Sequence, residues 1–79
     1  MQEYRYTILL TPEEGGYTAR VPAMPGLATE GDTLEEAIAM AKDAMQVYIA
    51  SLVADGEPIP EETDHPQALV VRVAVEMPG

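Results

Sequence analysis

The run from Gly16 to Ala37 (Gly-Tyr-Thr-Ala-Arg-Val-Pro-Ala-Met-Pro-Gly-Leu-Ala-Thr-Glu-Gly-Asp-Thr-Leu-Glu-Glu-Ala) leaves the chain few possible paths. Tyr17, Ala19 and Val21 alternate with Thr18 and Arg20, the period of a strand with one buried face. Pro22, Pro25 and Gly26 end that strand, because proline cannot donate to a ladder and the Pro-Gly pair turns the backbone. After a short strand from Leu27 to Gly31, Asp32 or Thr33 offers a capping oxygen. Glu35 or Glu36 stands three residues further on, as a capping box requires, so a helix begins here.

The flanking segments extend this frame. From Tyr4 to Leu10 every second residue is apolar (Tyr4, Tyr6, Ile8, Leu10), which predicts a first strand, and Pro12 to Gly16 predicts the turn of a hairpin with the second. At about 100° per residue, Leu34, Ala37, Ile38, Ala41, Ala44, Met45, Tyr48, Ile49 and Leu52 share an arc of roughly 140°, the stripe of a helix lying on a core. That helix is expected to end near Asp55-Gly56. Leu69, Val71, Val73 and Val75 alternate with Val70, Arg72 and Ala74, and residues 68–76 therefore read as a last strand, β-branched enough to sit inside a sheet. A Pro- and acid-rich connection joins the two, from Asp55 to Gln67. The order β-β-β-α-β predicts a single α+β domain over residues 1–79, a two-layer sandwich of a mostly antiparallel sheet with one helix on one face. A right-handed crossover would set the last strand beside the first and parallel to it.

Composition excludes several functions. With no cysteine and one histidine, neither a disulfide framework, nor a thiol nucleophile, nor a structural zinc site can be built. No basic-plus-apolar leader opens the sequence, and no apolar run of about 20 residues is expected to span a bilayer, so the expectation is a soluble, cytoplasmic protein. Fourteen acids against four bases give a net charge of −10, which repels phosphate backbones and anionic membranes and favours a basic protein partner. Solubility alone would account for that charge equally well. A chain of this length buries only about 60% of its unfolded surface, so self-association into a dimer or tetramer is a further expectation.

No catalytic, cofactor-binding or metal-binding residue is assigned. His65 lies between Asp64 and Pro66 with no motif placing a serine or cysteine near it, which reads as a solvated loop histidine. Asp55, Glu57, Glu61, Glu62 and Asp64 lack the alternate-residue spacing of an EF-hand and read as an acidic loop or a docking strip for basic side chains. Met40 and Val47, one heptad apart at the margin of the helical stripe, either pack at the edge of the core or extend an apolar surface toward a partner. Arg5, Arg20 and Arg72 fall on the sheet face away from the helix, where cross-strand pairs with Glu3 or Glu76 are expected, the alternative being that this face meets another subunit.

Gly-Tyr, Val21-Pro22-x-x-Pro25-Gly26, Glu30-Gly31-Asp32-Thr33-x-Glu35-Glu36-Ala37 and Asp55-Gly56-Glu57-Pro58-Ile59-Pro60, in this order and spacing, resemble the HicB-like antitoxin family from about Tyr4 to Pro60. The resemblance implies a partial ribonuclease H-like fold, and an antitoxin that binds and neutralises a HicA-like toxin, a small basic messenger-RNA-cleaving protein. It implies an inhibitor, not an enzyme. The ancestry invites a search for a metal-binding carboxylate cluster, but Arg5 to Leu10 of the first strand hold no acid, Glu35 and Glu36 are taken by helix capping, and Glu76 stands near the carboxyl terminus. Many members add a carboxyl-terminal DNA-binding segment; Gly79 follows the last expected strand directly, so operator binding by this chain is not expected. The candidate partner-binding residues are Asp55, Glu57, Glu61, Glu62 and Asp64 in the loop, then Met40 and Val47 on the helix. The alternative is a homo-oligomeric binding module without a toxin.

Overall fold

In a computed structural model, residues 3–62 and 68–77 are described, and they hold β1 (Leu9–Glu13), β2 (Gly16–Arg20), β3 (Ala28–Gly31) and α1 (Leu34–Ala54). The three strands form one antiparallel sheet in the order β1-β2-β3, and α1 packs across β3 and β2. The expected α+β arrangement, with helix and sheet as two layers, is thus present. The hairpin register runs from Leu9 opposite Arg20 to Glu13 opposite Gly16, closed by a two-residue link with Gly15 at φ 84°.

This register displaces the first strand from its expected place. The ladder covers Leu9–Glu13, not Tyr4–Leu10, because β2 stops at Arg20 and Pro22 then carries the partner away, leaving residues 3–8 nothing to pair with on that side. Pro12 belongs to the strand and not to the turn. It lies opposite Tyr17, one residue beyond the hydrogen-bonded Glu13–Gly16 pair, so its missing N–H faces the free edge and costs the ladder nothing.

Ala19 and Val21 of the sheet side, with Ala37, Ala41 and Met45 of the helix, form the buried core; Tyr6, Ile8, Leu10, Tyr17, Leu27, Tyr48 and Ile49 pack half-buried around it. The expected helical stripe holds, except that Leu34 is exposed at the first turn. The core also contains Met24, fully buried and the largest such side chain, although it sits in the Pro/Gly corner. Two successive turns fold it inward, with the Met24 N–H donating to the Val21 carbonyl at 3.0 Å and the Leu27 N–H to the Met24 carbonyl at 3.1 Å.

Both ends of α1 are set locally. Of the two capping candidates, Thr33 is the N-cap: its side chain accepts from the Glu36 N–H at 3.1 Å, and Glu35 and Glu36 place negative charge on the positive end of the helix dipole. Gly31 lets the helix start close to the sheet. A Cβ at that position would run into the backbone of Glu36 and Ala37. The other end is a Schellman stop, in which Gly56 takes φ 70° while Glu57 donates to the Leu52 carbonyl at 2.9 Å and Gly56 to that of Val53 at 3.1 Å. Contrary to the composition-based expectation, α1 is long and apolar enough to cross a membrane by those criteria alone, with a mean hydropathy of 1.3 over its best window. Lys42 and Asp43 interrupt it, and one stripe, Ala37, Ala41 and Met45, is buried against the sheet.

The expected last strand is the main departure. Among the described residues, 68–77 pair with no strand and are exposed throughout, Leu69 at 81%, Val70 at 100% and Val73 at 76%. The chain spans 63 × 30 × 21 Å with a radius of gyration of 16.7 Å, against about 12 Å for a compact chain of this length. Cross-strand pairing of Arg5 or Arg20 with Glu76 does not arise in this arrangement, because Glu76 belongs to no strand.

Candidate functional site

The connection that leaves α1 is held against the first residues of the chain. Glu62 reaches Thr7 with both carboxylate oxygens: the Thr7 N–H donates to Oε1 at 2.9 Å and the Thr7 hydroxyl to Oε2 at 2.5 Å. One residue earlier, the Tyr6 hydroxyl donates to the Pro60 carbonyl at 2.6 Å. These residues are brought together because Thr7 has outrun its β2 partner, so its backbone donor turns to a side chain. Burial, then the neighbouring Tyr4, Glu61 and Glu62, raise the Tyr6 phenol above its ordinary value, which keeps it protonated as the donor this contact needs. Tyr4 stacks on Tyr6 with ring centroids 6.3 Å apart and planes 18° from parallel, as expected for side chains two residues apart on one face of an extended segment.

This clasp shapes a cleft of about 720 Å³ lined by Tyr4, Val53, Gly56, Glu57, Pro58, Ile59 and Glu61. Its lining mixes the apolar Val53, Pro58 and Ile59 with the carboxylates of Glu57 and Glu61. Of the acidic residues expected in this loop, Glu57 and Glu61 line the cleft. Asp55 is instead the helix C-cap, its N–H donating to the Ser51 and Leu52 carbonyls at 3.1 Å each. Glu62 has a structural task on Thr7. Asp64 lies outside the described residues, as does His65. Tyr4 and Val53, which sequence patterning does not mark as site residues, also belong to the cleft. The exposed Val53, at 60%, lies off the helical stripe, and only the path of the following loop makes it a wall of the cleft.

A second concavity, about 470 Å³, lies at the opposite end of the sheet and is strongly acidic, with Glu13, Glu14, Glu30, Asp32 and Glu36 around Tyr17. Hairpin tip, β3 and helix cap converge there because Gly31 allows the helix to begin directly over the sheet. Met40 and Val47 occupy one flank of α1, at 47% and 70% exposure, apart from both concavities. Among the described residues, no three His, Asp or Glu side chains converge to hold a metal ion. The described surface thus presents two concavities lined by carboxylates and, apart from them, the exposed apolar pair Met40 and Val47.

The family model for the HicB-like antitoxin of bacterial toxin-antitoxin systems matches residues 6–73. A UPF0150 protein of Synechocystis sp. is 47% identical over 62 residues, which cover 77% of this chain and 78% of that protein. One from Thermoplasma acidophilum is 42% identical over 59 residues, 73% of this chain and 86% of its own length. Antitoxin HicB 1 of Photorhabdus laumondii is 43% identical over 61 residues, 76% of this chain but 39% of the longer antitoxin. No solved structure gives a significant match. The signature from Gly16 to Ala37, which fixes the sheet corner and the helix cap, lies wholly within the matched region, and the chain belongs to the HicB-like antitoxin family.

Proposed function

We propose that this chain acts by binding and neutralising a small basic, HicA-like, messenger-RNA-cleaving toxin, and that it does so as an inhibitor with no enzymatic step of its own. Family membership over residues 6–73 is the observation that carries this reading. The net charge of −10 and the two acidic concavities support it, since an acidic domain is steered onto a basic partner and covers the surface that partner would use on RNA. Within this reading the cleft with Glu57 and Glu61 is the first contact surface and the Met40–Val47 flank the second, with Asp55 and Asp64 contributing charge to the loop. The free chain is read as cytoplasmic and without affinity for nucleic acid.

Co-expression with a small basic protein encoded beside it, followed by copurification and growth rescue, tests this. Rescue that is lost in the Glu57→Lys, Glu61→Lys double variant, with the fold retained, supports the cleft as the contact. A neighbour that neither binds nor is neutralised rejects the reading. One observation favours a second reading, a homo-oligomeric binding module without a toxin: the UPF0150 relatives match along 78% and 86% of their length, whereas the named HicB antitoxin matches along 39%.

A further inference from the structure

The sheet has two edges, and the chain's own later residues are led to one of them: Pro60 and Glu62 are held at Tyr6 and Thr7, immediately before β1. β3 is the other edge, and among the described residues it pairs with β2 alone. The hairpin register decides what that edge shows. Because Glu13 and Gly16 are a hydrogen-bonded pair, Thr18 and Arg20 also bond toward β1, while Tyr17 and Ala19 bond toward Gly31 and Thr29 of β3. The backbone N–H and C=O of Ala28 and Glu30 are left facing outward, with no strand opposite among the described residues. α1 meets β3 on the helix face, where the Thr29 hydroxyl donates to the Ala37 carbonyl at 3.4 Å, whereas Ala28 and Glu30 are exposed.

The charges beside this edge form a pattern. Arg20, directly opposite Ala28 on the face away from the helix, makes no hydrogen bond or ion pair among the described residues, in a chain with fourteen acids and four bases. It lines a hollow of about 360 Å³ with Leu9, Pro22, Pro25, Leu27 and Ala28. That hollow is preformed, since the two turns about the buried Met24 fix the corner that walls it. Ala28 carries only a methyl group, so no bulky side chain of β3 stands between the Arg20 guanidinium and a residue one strand further out. Glu30, two residues along and on the same face, offers a carboxylate to the neighbouring position. We propose that the β3 edge receives an extended segment of a protein partner as an added strand, with an acidic residue opposite Ala28 that meets Arg20 and a basic residue opposite Glu30. The backbone groups of Ala28 and Glu30 supply the main-chain bonds, and the two charges supply the selection. An extended peptide is the occupant that uses both, because its alternate residues repeat every 7 Å or so, in step with Ala28 and Glu30. The proposal does not rest on the antitoxin reading.

Nitrogen-15-labelled full-length chain is titrated with two synthetic peptides, Thr-Val-Glu-Val-Lys-Val-Thr and Thr-Val-Lys-Val-Glu-Val-Thr, which present the charge pair in the orders that parallel and antiparallel addition require. One of them is expected to shift the Ala28 and Glu30 amide resonances saturably and to slow their hydrogen exchange. Arg20→Glu is expected to weaken that binding roughly tenfold, and a peptide with lysine at both charged positions is expected to restore it in the variant while binding the parent chain more weakly than the mixed-charge peptide does. Ala28→Pro, which removes an outward donor and leaves the β2 ladder intact, is expected to abolish the shifts. No saturable shift with either peptide, shifts confined to β1 or α1, or an Arg20→Glu chain with unchanged preference would each overturn the proposal. If Ala28→Pro fails to fold, the charge exchange at Arg20 decides.

Discussion

β2 and residues 69–75 are written in the same alphabet, alternating apolar and polar or β-branched positions, and they end in opposite states. Ala19 and Val21 are buried, while Val70 and Val73 stand in water. The difference lies in neighbours and not in propensity. β2 is held on one side by a hairpin whose two-residue link fixes the register, and on the other by β3, which the Pro/Gly corner returns within a few residues. The later segment must find its edge across a whole helix and a loop, and a strand pattern without an adjacent edge specifies only a need for one.

That contrast can be broken at its packed end first. Met24→Ala is expected to cost about 2–5 kcal/mol, since it empties the largest fully buried side chain; a calorimetric melt unchanged from the parent would mean that the corner is not core. Gly31→Ala is next, at about 1–3 kcal/mol, because its Cβ would meet backbone and not a movable side-chain tip, and urea unfolding checks it. Thr33→Ala should cost about 1 kcal/mol by removal of the helix cap, read as the corresponding shift in the denaturant midpoint at constant slope.

The clasp between Tyr6 and Pro60 gives a pH-dependent version. Its phenol is raised in the folded state, so the stabilisation is fully present below the unfolded value of about 10 and is lost as pH rises through the higher folded one. Stability should therefore fall in the alkaline range, and in Tyr6→Phe that component of the fall should vanish at the cost of roughly 1 kcal/mol at neutral pH. The smallest effect is expected at the exposed end. Val70→Ala should move the melt by less than about 0.5 kcal/mol; a larger change would place Val70 in a packed environment.

Where the determinants are local, the sequence was readable. The Thr33 cap, the Gly56 stop, the Ala37-Ala41-Met45 stripe and the buried face of β2 all follow from residues within one or two turns of each other. The misreadings fall where a distant group decides the outcome. Pro12 reads as a turn residue until the register places it at a non-hydrogen-bonded position. Met24 reads as loop until two consecutive turns point it inward. Of the candidate contact residues, Glu57 and Glu61 were legible as exposed acids, whereas Glu62 carries no sequence mark separating it from them and is committed to Thr7 by a contact 55 residues away.

That contact has a consequence for the order of events in folding. The Thr7–Glu62 and Tyr6–Pro60 bonds close a loop that contains every strand and the helix, so the entropy of closing it has to be met before either bond can form, unless the enclosed elements have already shortened the path. Hairpin, corner and helix are all local and can form first. The clasp is then the last fastening to be made and the first to be released, and the Thr7 amide should exchange its hydrogen faster than Ala19 or Ala41 by a sub-global opening that leaves the body intact.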